Sequence, residues 1–517
     1  MQTVKSNINP FHMPMLRPWV PQNVGLILYM LTVFCFQFSS GMYLGAIESV
    51  RGDTGFMLED MVYLLYANLA GMAVMFPLLF KMKFRFTNKQ LLCGAACLVG
   101  ICNFLTMQTE NMALLIPLCF LSGMGKLQGT FEVMSNIQLW HNPERNMGRF
   151  FPFLHIFLLS SIILSAWVSA QMAYYFSWKM MHVFIIGLMC LVIIIQQVFC
   201  QPFCPMPQRL SLRGTDFLTA LLICVLMLSI SAVFVYGDHL MWLKNRHLRF
   251  CLGISVIFLG IIIYRMHHLP RPYLAPAVFR YKNVLPILCV CLIGELLLGA
   301  EHTLEEILYS EVMQLAEHTK TTHDLYSLIG VYAGIFISLI WFINKDWPIC
   351  RLFAVVFACI FAYGLLMYSR IEVNTPIEYY HTAMIFRGAA TAMFGISLMW
   401  SLYESVHDFE HFFMALFVFN IIHMYLGGAQ GYGLYTTLFK HFLADNISRY
   451  DSLCQPMMIV ISIKQIYGYV IWGALFMANL FLLIDIPRIR TGINKIPYWP
   501  VYAIRYLAKT YQNNSNE

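Results

Sequence analysis

The feature that most constrains this chain is a run of about twenty apolar residues that recurs along nearly all of its 517 residues. A helix rises about 1.5 Å per residue, so a run of this length crosses the roughly 30 Å hydrocarbon core of a bilayer. Only 11% of the residues are charged, too few to cover a water-facing surface, so we expect lipid to be the main solvent. The runs predict fourteen spanning helices, at 23–47, 60–80, 90–108, 112–138, 150–175, 179–200, 215–236, 248–266, 284–312, 324–343, 350–369, 379–403, 412–436 and 457–484.

The middle of the chain divides these runs into three groups. Two basic, Pro-rich turns enclose the seventh and eighth runs, with six runs before them and six after them. The sequence therefore predicts an all-α polytopic membrane protein with two extra helices at its centre. We expect a cytoplasmic N-terminal segment at 1–22, a six-helix bundle at 23–200, a central linker with two helices at 201–283, a second six-helix bundle at 284–484 and a cytoplasmic tail at 485–517.

The distribution of Lys and Arg predicts the orientation. With the N-terminus in the cytoplasm, the inside segments hold 21 Lys and Arg residues and the outside segments hold nine. Such an excess is typical of cytoplasmic loops, so both termini are predicted to be cytoplasmic. The net charge of +7 lies mainly on this side, which indicates membrane topology rather than a nucleic-acid partner.

Several short motifs occur in a fixed order around these helices. They are Asp216-Phe217 at the start of the seventh helix, Gly237 and Trp242 at its end, Pro272 to Phe279 with Arg280-Tyr281-Lys282-Asn283 before the ninth, Ser177-Trp178-Lys179 before the sixth, Gln128-Gly129 in the fourth, and Leu426 to Gly431 in the thirteenth. In this order the chain resembles the fourteen-helix drug–proton antiporter branch of the major facilitator superfamily, typified by EmrB.

The resemblance implies a fold, an activity and partners. The fold would be two six-helix bundles related by an axis along the membrane normal, with two added central helices. The activity would be secondary active export of hydrophobic or amphipathic compounds, of the multidrug-efflux type, coupled to protons by alternating access. The protein would lie in the cell inner membrane, and its partners would be a periplasmic adaptor and an outer-membrane channel.

Two stretches depart from the pattern of that family. The loop from Pro77 to Lys89 is basic but lacks the family's Asp and Gly residues, and Leu164 to Ala170 stands where the fifth helix usually carries a Gly-Pro pair. Both departures concern gating and antiport rather than the fold. Uptake or lipid flipping without proton antiport therefore stays open as an alternative.

Four charged residues inside the predicted helices are the candidate site residues, because a charge in the bilayer is costly. Glu295 lies about twelve residues into the ninth helix, or roughly 18 Å from its start, and is the first proton-coupling candidate. Glu132 of the fourth helix is the second. Lys126 and Arg387 are expected to pair with a carboxylate or to bind substrate. A structural ion pair is the competing interpretation for each of them.

Other polar residues in the runs are not candidate site residues. Glu301, Glu305, Glu306 and Glu311 follow Glu295 towards the outer end, and we expect them to line a solvated vestibule. His423, alone before the Gly-Gly pair of the thirteenth helix, is interpreted as structural.

One motif raises an enzymatic hypothesis. His407, Glu410 and His411 match a zinc-peptidase pattern, which would make the protein a His-dependent membrane metalloenzyme. The motif lies in a short loop, and the sequence shows no third ligand. No nucleotide-binding loop or nucleophile elbow occurs either. We therefore expect no enzyme activity, no cofactor and no metal site.

Overall fold

The computed structural model describes residues 13–39, 45–141, 146–204, 216–343, 347–406, 408–450 and 454–491. Each of the fourteen predicted runs coincides with a long helix in this part of the chain. By length and composition thirteen of these helices can cross a membrane, and the first has 17 residues. They are α1 (Gln22–Phe38), α2 (Leu58–Lys83), α3 (Asn88–Gln108), α4 (Met112–Leu139), α5 (Met147–Tyr175), α6 (Lys179–Phe199), α7 (Phe217–Val235), α8 (Arg246–His268), α9 (Val284–Val312), α10 (Glu317–Ile343), α11 (Ile349–Arg370), α12 (Ile377–Ser405), α13 (Glu410–Arg449) and α14 (Gln455–Asp485).

The helix ends differ from the apolar runs in three places. Helix α1 ends at Phe38 rather than at residue 47, and residues 40–44 lie outside the described residues. Helix α10 begins seven residues before its run, and α13 continues thirteen residues beyond its run. An apolar run marks only the part of a helix that lies in the bilayer. The polar turns beyond it are stabilised by contacts with neighbouring helices. At the end of α13, for example, the Asn446 amide donates to Ser462 Oγ of α14 at 2.9 Å.

Contacts between helix ends define two faces of the molecule. The start of α11 and the end of α14 meet through Arg351 and Asp485, whose side chains lie 2.5 Å apart. The end of α13 meets the segment after α7 through Lys440 and Asp238. The face where α1 begins and α14 ends is called the terminal face here, and the other is called the opposite face.

The first six helices and the last six pack in the same way. Within the first group α4 packs against α1, α2 and α3, while α1 also packs against α5, and α3 against α6. Every one of these pairs recurs eight helices later, as α12 with α9, α10 and α11, α9 with α13, and α11 with α14. The molecule therefore contains two six-helix bundles with one packing plan.

Glycines make the closest helix crossing of each bundle possible. A Cβ on Gly71 of α2 or Gly123 of α4 would lie 1.9 Å and 2.0 Å, respectively, from a backbone carbonyl oxygen of the partner helix. At the corresponding crossing of α10 and α12, a Cβ on Gly330 or Gly388 would lie 1.8 Å and 2.1 Å from such an oxygen. Small residues let helix backbones approach closely in membranes, where dispersion replaces the hydrophobic effect as the main attraction.

The two extra helices pack beside the bundles. Helix α7 contacts α8, α2 and α13. Its contact with α8 includes a hydrogen bond between Ser229 Oγ and Ser255 Oγ at 2.8 Å, and its contact with α2 includes one from the Tyr63 hydroxyl to the Leu228 carbonyl at 3.1 Å. The pair thus lies against the seam where α2 of the first bundle meets α13 of the second.

The bundles touch at both faces. At the terminal face Phe80 of α2 and Phe131 of α4 pack edge-on against Phe413 of α13, with ring centroids 4.1 Å and 5.6 Å away. These three rings are called the aromatic seal. At the opposite face Glu317 of α10 accepts a hydrogen bond at 2.6 Å from the backbone of Glu48, which follows α1. The described residues therefore show contacts between the two bundles at both faces.

Candidate functional site

The centre of the second bundle holds a carboxylate and an imidazole in direct contact. Glu295 Oε1 of α9 lies 2.5 Å from Nδ1 of His423 of α13. His423 lies in a π-helical turn, Ile421–Leu426, and π-helical turns are frequent at functional sites. The side chains of Glu295 and His423 are 15% and 25% exposed, although both lie well inside their helices. The pair is therefore held by two helices and is largely buried.

A histidine of the first bundle lies at the boundary with the second bundle. His155 of α5 is buried and interacts electrostatically with His423. Its Nδ1 donates to the Phe151 carbonyl at 2.8 Å, since a carbonyl oxygen can only accept. Nε2 is thus directed to the second bundle, where a Cβ on Gly395 of α12 would lie only 2.9 Å from it. The Glu295–His423 pair consequently lies near the boundary between the two bundles.

Cys291 lies one helical turn before Glu295 and is buried. The ligand atoms of Cys291, Glu295 and His423 all lie within 4.8 Å of one another. Residues four apart on a helix share a face, so α9 presents the thiol and the carboxylate together towards α13. The site therefore combines three different ionisable side chains.

A second polar centre lies nearer the opposite face of the same bundle. Arg387 of α12 donates to Glu305 of α9 and, at 3.3 Å, to Asp324 of α10. Glu305 also accepts a hydrogen bond from the Tyr363 hydroxyl at 2.5 Å, and Tyr363 lies 3.0 Å from the Tyr467 hydroxyl. Five helices of the second bundle, α9 to α12 and α14, meet in this network.

The prediction of a solvated vestibule is wrong for Glu305, which is 4% exposed. Glu305 ends a π-helical turn, Glu301–Glu305, and its charge is neutralised by Arg387 within the bundle. A buried carboxylate needs such a partner, and Arg387 lies 82 residues away in the sequence. Glu306, by contrast, has a partly exposed side chain that pairs with Lys320 at 2.6 Å.

Glu132 lies in a buried polar cluster of the first bundle, near the terminal face. Its carboxylate is 3.3 Å from Nζ of Lys83, the last residue of α2. The same Nζ donates to Ser135 Oγ at 2.7 Å and to Asn136 Oδ1 at 2.8 Å. Among the described residues Glu132 is thus held by a lysine of a neighbouring helix, and the structure does not bring it to Glu295.

Lys126 lies near the middle of α4 and is 2% exposed. Within the described ranges no carboxylate lies at ion-pair distance from it, and Glu132 pairs with Lys83 instead. The two candidates in α4 are six residues apart and therefore face different sides of the helix. The structure thus separates Lys126 from both proton-coupling candidates.

Sequence reasoning left several members of these sites out of the candidate set, among them His155 and Lys83, and it interpreted His423 as structural. His423 and His155 were single histidines in apolar runs, and Lys83 was one of several basic residues at a helix end. A polar side chain inside an apolar run was the only signal for the histidines. Of the proposed metal motif, His407 lies outside the described residues, and His411 Nδ1 lies 3.0 Å from the Tyr281 hydroxyl.

A cavity of about 290 Å³ lies apart from the central pair, between α2, α3 and α4. Its lining is almost entirely apolar and includes Met75, Met82 and Met124. Gln128, from the Gln-Gly motif, also lines it, and no hydrogen-bond partner of its buried amide occurs in the described part of the chain. This cavity belongs to the first bundle alone.

Solved structures with the same arrangement of helices are transporters. The chain is similar to the nucleoside transporter NupG (TM-score 0.53, 14% identity, covering 88% of this chain and 99% of that one). It is also similar to a peptide transporter POT in complex with alafosfalin (TM-score 0.59, 12% identity, 90% and 94%) and to tetrameric PepTSo2 (TM-score 0.56, 13% identity, 90% and 98%). The sequence matches no family model and no curated protein.

The fold is now defined. The chain is an all-α, multi-pass membrane protein with the major facilitator fold, built from two six-helix bundles and two added central helices. This part of the prediction made from the sequence is confirmed. At 12–14% identity the likeness shows the fold alone, so the assignment to the EmrB-like branch remains a proposal.

Proposed function

We propose that this protein is a secondary active transporter that moves a small molecule across the membrane by alternating access. The observation that carries the proposal is the Glu295–His423 pair, which lies in the second bundle opposite His155 of the first. Two bundles that pack their helices in the same way can rotate against each other around such a site, and this rotation opens the site to one face at a time. In this proposal the contacts between the bundles at the two faces break in turn.

Proton coupling is assigned to Glu295, with His423 as its partner. The carboxylate and the imidazole share one hydrogen across 2.5 Å, and a movement of α13 against α9 would separate them and release it. Glu132 remains a second candidate, but its ion pair with Lys83 supports a structural role. Arg387 acts in this proposal as the fixed counter-ion of Glu305. Lys126, which has no described carboxylate partner, remains the candidate for substrate binding.

The cargo and direction are proposed from the resemblance of the motifs. On that basis the protein exports hydrophobic or amphipathic compounds from the cytoplasm, sits in the cell inner membrane with both termini inside, and works with a periplasmic adaptor and an outer-membrane channel. The stacking of Phe419 on His423, at 5.1 Å between ring centroids, places an apolar surface beside the polar pair. A cargo with both apolar and polar parts fits such a site.

Uptake of a polar solute is the second candidate. It is favoured by the polar character of the central pair and by the names of the similar structures, which are nucleoside and peptide transporters. Lipid flipping without proton antiport has no comparable support among the described contacts.

The coupling is tested in proteoliposomes that contain a pH-sensitive dye. We expect an amphipathic cationic dye, added as cargo, to drive proton movement in the wild-type protein. Glu295→Gln should lower that rate by about a hundredfold, because the amide cannot carry the proton. Glu110→Gln, at an exposed carboxylate beyond α3, is the matched control and should leave the rate unchanged.

Two outcomes would overturn parts of this proposal. Proton movement that persists in Glu295→Gln removes Glu295 as the carrier. Cargo flux in neither direction, across panels of amphipathic dyes, nucleosides and peptides under an imposed proton gradient, removes the transporter assignment. Flux of dyes out of the proton-poor compartment favours export, and accumulation of nucleosides or peptides with the proton gradient favours uptake.

A further inference from the structure

We propose that Cys291, Glu295 and His423 form a binding site for a divalent transition-metal ion of the zinc class. The site shares Glu295 and His423 with the proposed function, but metal binding itself does not require that the protein transport anything. The sequence indicates no such site, because α13 brings His423 to the other two ligands from 128 residues away.

The spacing of the three ligand atoms is close to that of a metal site. All three lie within 4.8 Å of one another, and two of them are only 2.5 Å apart. In a tetrahedral zinc site the bond lengths place neighbouring ligand atoms about 3.3–3.7 Å apart. The carboxylate and the imidazole must therefore move apart by less than 1 Å, and the thiol must approach them by at most about 1.5 Å.

The chemistry of the ligands selects the class of ion. A thiolate and an imidazole are the ligands that Zn²⁺ and similar ions prefer, whereas Mg²⁺ and Ca²⁺ are bound by oxygen atoms. Three protein ligands leave a fourth position open for water or for another group. His423 would use Nδ1, the atom that now contacts Glu295, and its ring orientation is fixed by stacking on Phe419.

Metal binding replaces protons at this site. The thiol of Cys291 loses its proton to solvent when the sulfur binds the ion, and the hydrogen shared by Glu295 and His423 leaves at the same time. The bound ion then joins α9 to α13, so the two helices can no longer separate. We therefore expect micromolar Zn²⁺ to stop transport, and to do so less well as the pH falls.

The test uses Co²⁺ as a spectroscopic probe on the full-length protein in detergent. A tetrahedral Co²⁺ site gives visible d–d bands, and a bound thiolate adds a near-ultraviolet charge-transfer band. We expect one equivalent of Co²⁺ to produce both, and Zn²⁺ to displace it. Cys291→Ser should lose the charge-transfer band, and His423→Gln should weaken binding at least about tenfold.

The control is Cys289→Ser, an exposed cysteine two residues earlier on the same helix. It should keep both the spectrum and the affinity. The proposal is overturned if no thiolate band appears, or if Cys291→Ser retains it, because the Co²⁺ then binds other cysteines or histidines of the chain. The variants must elute as monodisperse protein, and Cys291→Ser, which changes only one atom, guards against loss by misfolding.

These results separate the two proposals. Co²⁺ binding with no cargo flux leaves the metal site standing and removes the transporter assignment. Cargo-driven proton movement in the presence of a chelator, without a Co²⁺ spectrum, does the reverse.

Discussion

The two six-helix bundles share a packing plan but differ in their chemistry. In each bundle a close helix crossing is formed at two glycines, Gly71 and Gly123 in the first bundle and Gly330 and Gly388 in the second. Among its described residues, the first bundle carries one buried ion pair near the terminal face. The second bundle carries the Glu295–His423 pair and the Arg387 network. The π-helical turns found in the described part of the chain also lie in this bundle, two in α9 and one in α13.

This difference distinguishes the residues that hold the helices together from the residues that could form a functional site. Close helix packing depends on small residues at a few crossings, so both bundles can keep the same plan while the other positions vary. Buried charges are costly, and π-helical turns interrupt regular hydrogen bonding, so neither is expected where only packing is required. Under the proposed function, the second bundle therefore supplies the proton-coupling pair, and the first supplies His155 and the buried Lys126.

The largest effect on stability is expected from unpairing the network of the second bundle. Arg387→Leu leaves the Glu305 carboxylate buried without its cation, and should lower the free energy of unfolding by about 3–5 kcal/mol. Denaturant titration in detergent measures this. Arg51→Leu, at the exposed pair with Glu48, is the control and should cost less than about 1 kcal/mol. An equal loss in both variants would show that burial of the Arg387 network is not important.

The ion pair of the first bundle should behave as a purely structural element. Lys83→Leu is expected to cost about 3 kcal/mol, because it strands Glu132, and the double variant with Glu132→Leu should recover most of that loss. Proton movement should survive in Glu132→Gln at close to the wild-type rate. Loss of proton movement in that variant, matching Glu295→Gln, would end the contrast between the two bundles.

The shared packing plan predicts matched effects at the glycine crossings. Gly71→Ala and Gly330→Ala each place a methyl group against a backbone carbonyl, and should cost about 1–3 kcal/mol by overpacking. Gly94→Ala and Gly468→Ala, where a Cβ meets nothing within 4 Å, should instead be neutral or slightly stabilising. Thermal unfolding of the four variants checks this. A large cost at only one crossing would show that the bundles do not depend on their glycines alike.

The smallest effect is expected outside both bundles, where α7 begins. Burial opposes ionisation of Asp216, but hydrogen bonds from Thr219 and Arg265 outweigh it and lower the pKa of this carboxyl. The stabilisation is therefore full at neutral pH and is lost as the pH falls through the lowered pKa, below the usual 3.8.

Asp216→Asn should therefore cost about 1 kcal/mol at pH 7, where the carboxylate is ionised. The difference between variant and wild type should shrink as the pH falls through the lowered pKa of Asp216. Thermal unfolding at several pH values measures it. A difference that is unchanged at low pH would show that the charge of Asp216 contributes nothing.

The sequence predicted the helices far better than the contacts between them. All fourteen apolar runs are helical, because the part of a chain that crosses a bilayer must be mostly apolar and must satisfy its backbone hydrogen bonds internally. Glu295 was selected for its depth in the bilayer, which is a local property. Its partner His423 was not, because pairing depends on how α9 and α13 pack across 128 residues of sequence. Glu305 was misplaced for the same reason, since its neutralising Arg387 comes from a distant helix.

The aromatic seal of Phe80, Phe131 and Phe413 bears on proton leakage through the protein. Three edge-packed rings lie between the bundles at the terminal face, and protons need a chain of water molecules in order to leak. Apolar constrictions of this kind stop ions by remaining dry. In the proposed transport cycle, a carrier sealed in this way at rest would not dissipate the gradient that drives it.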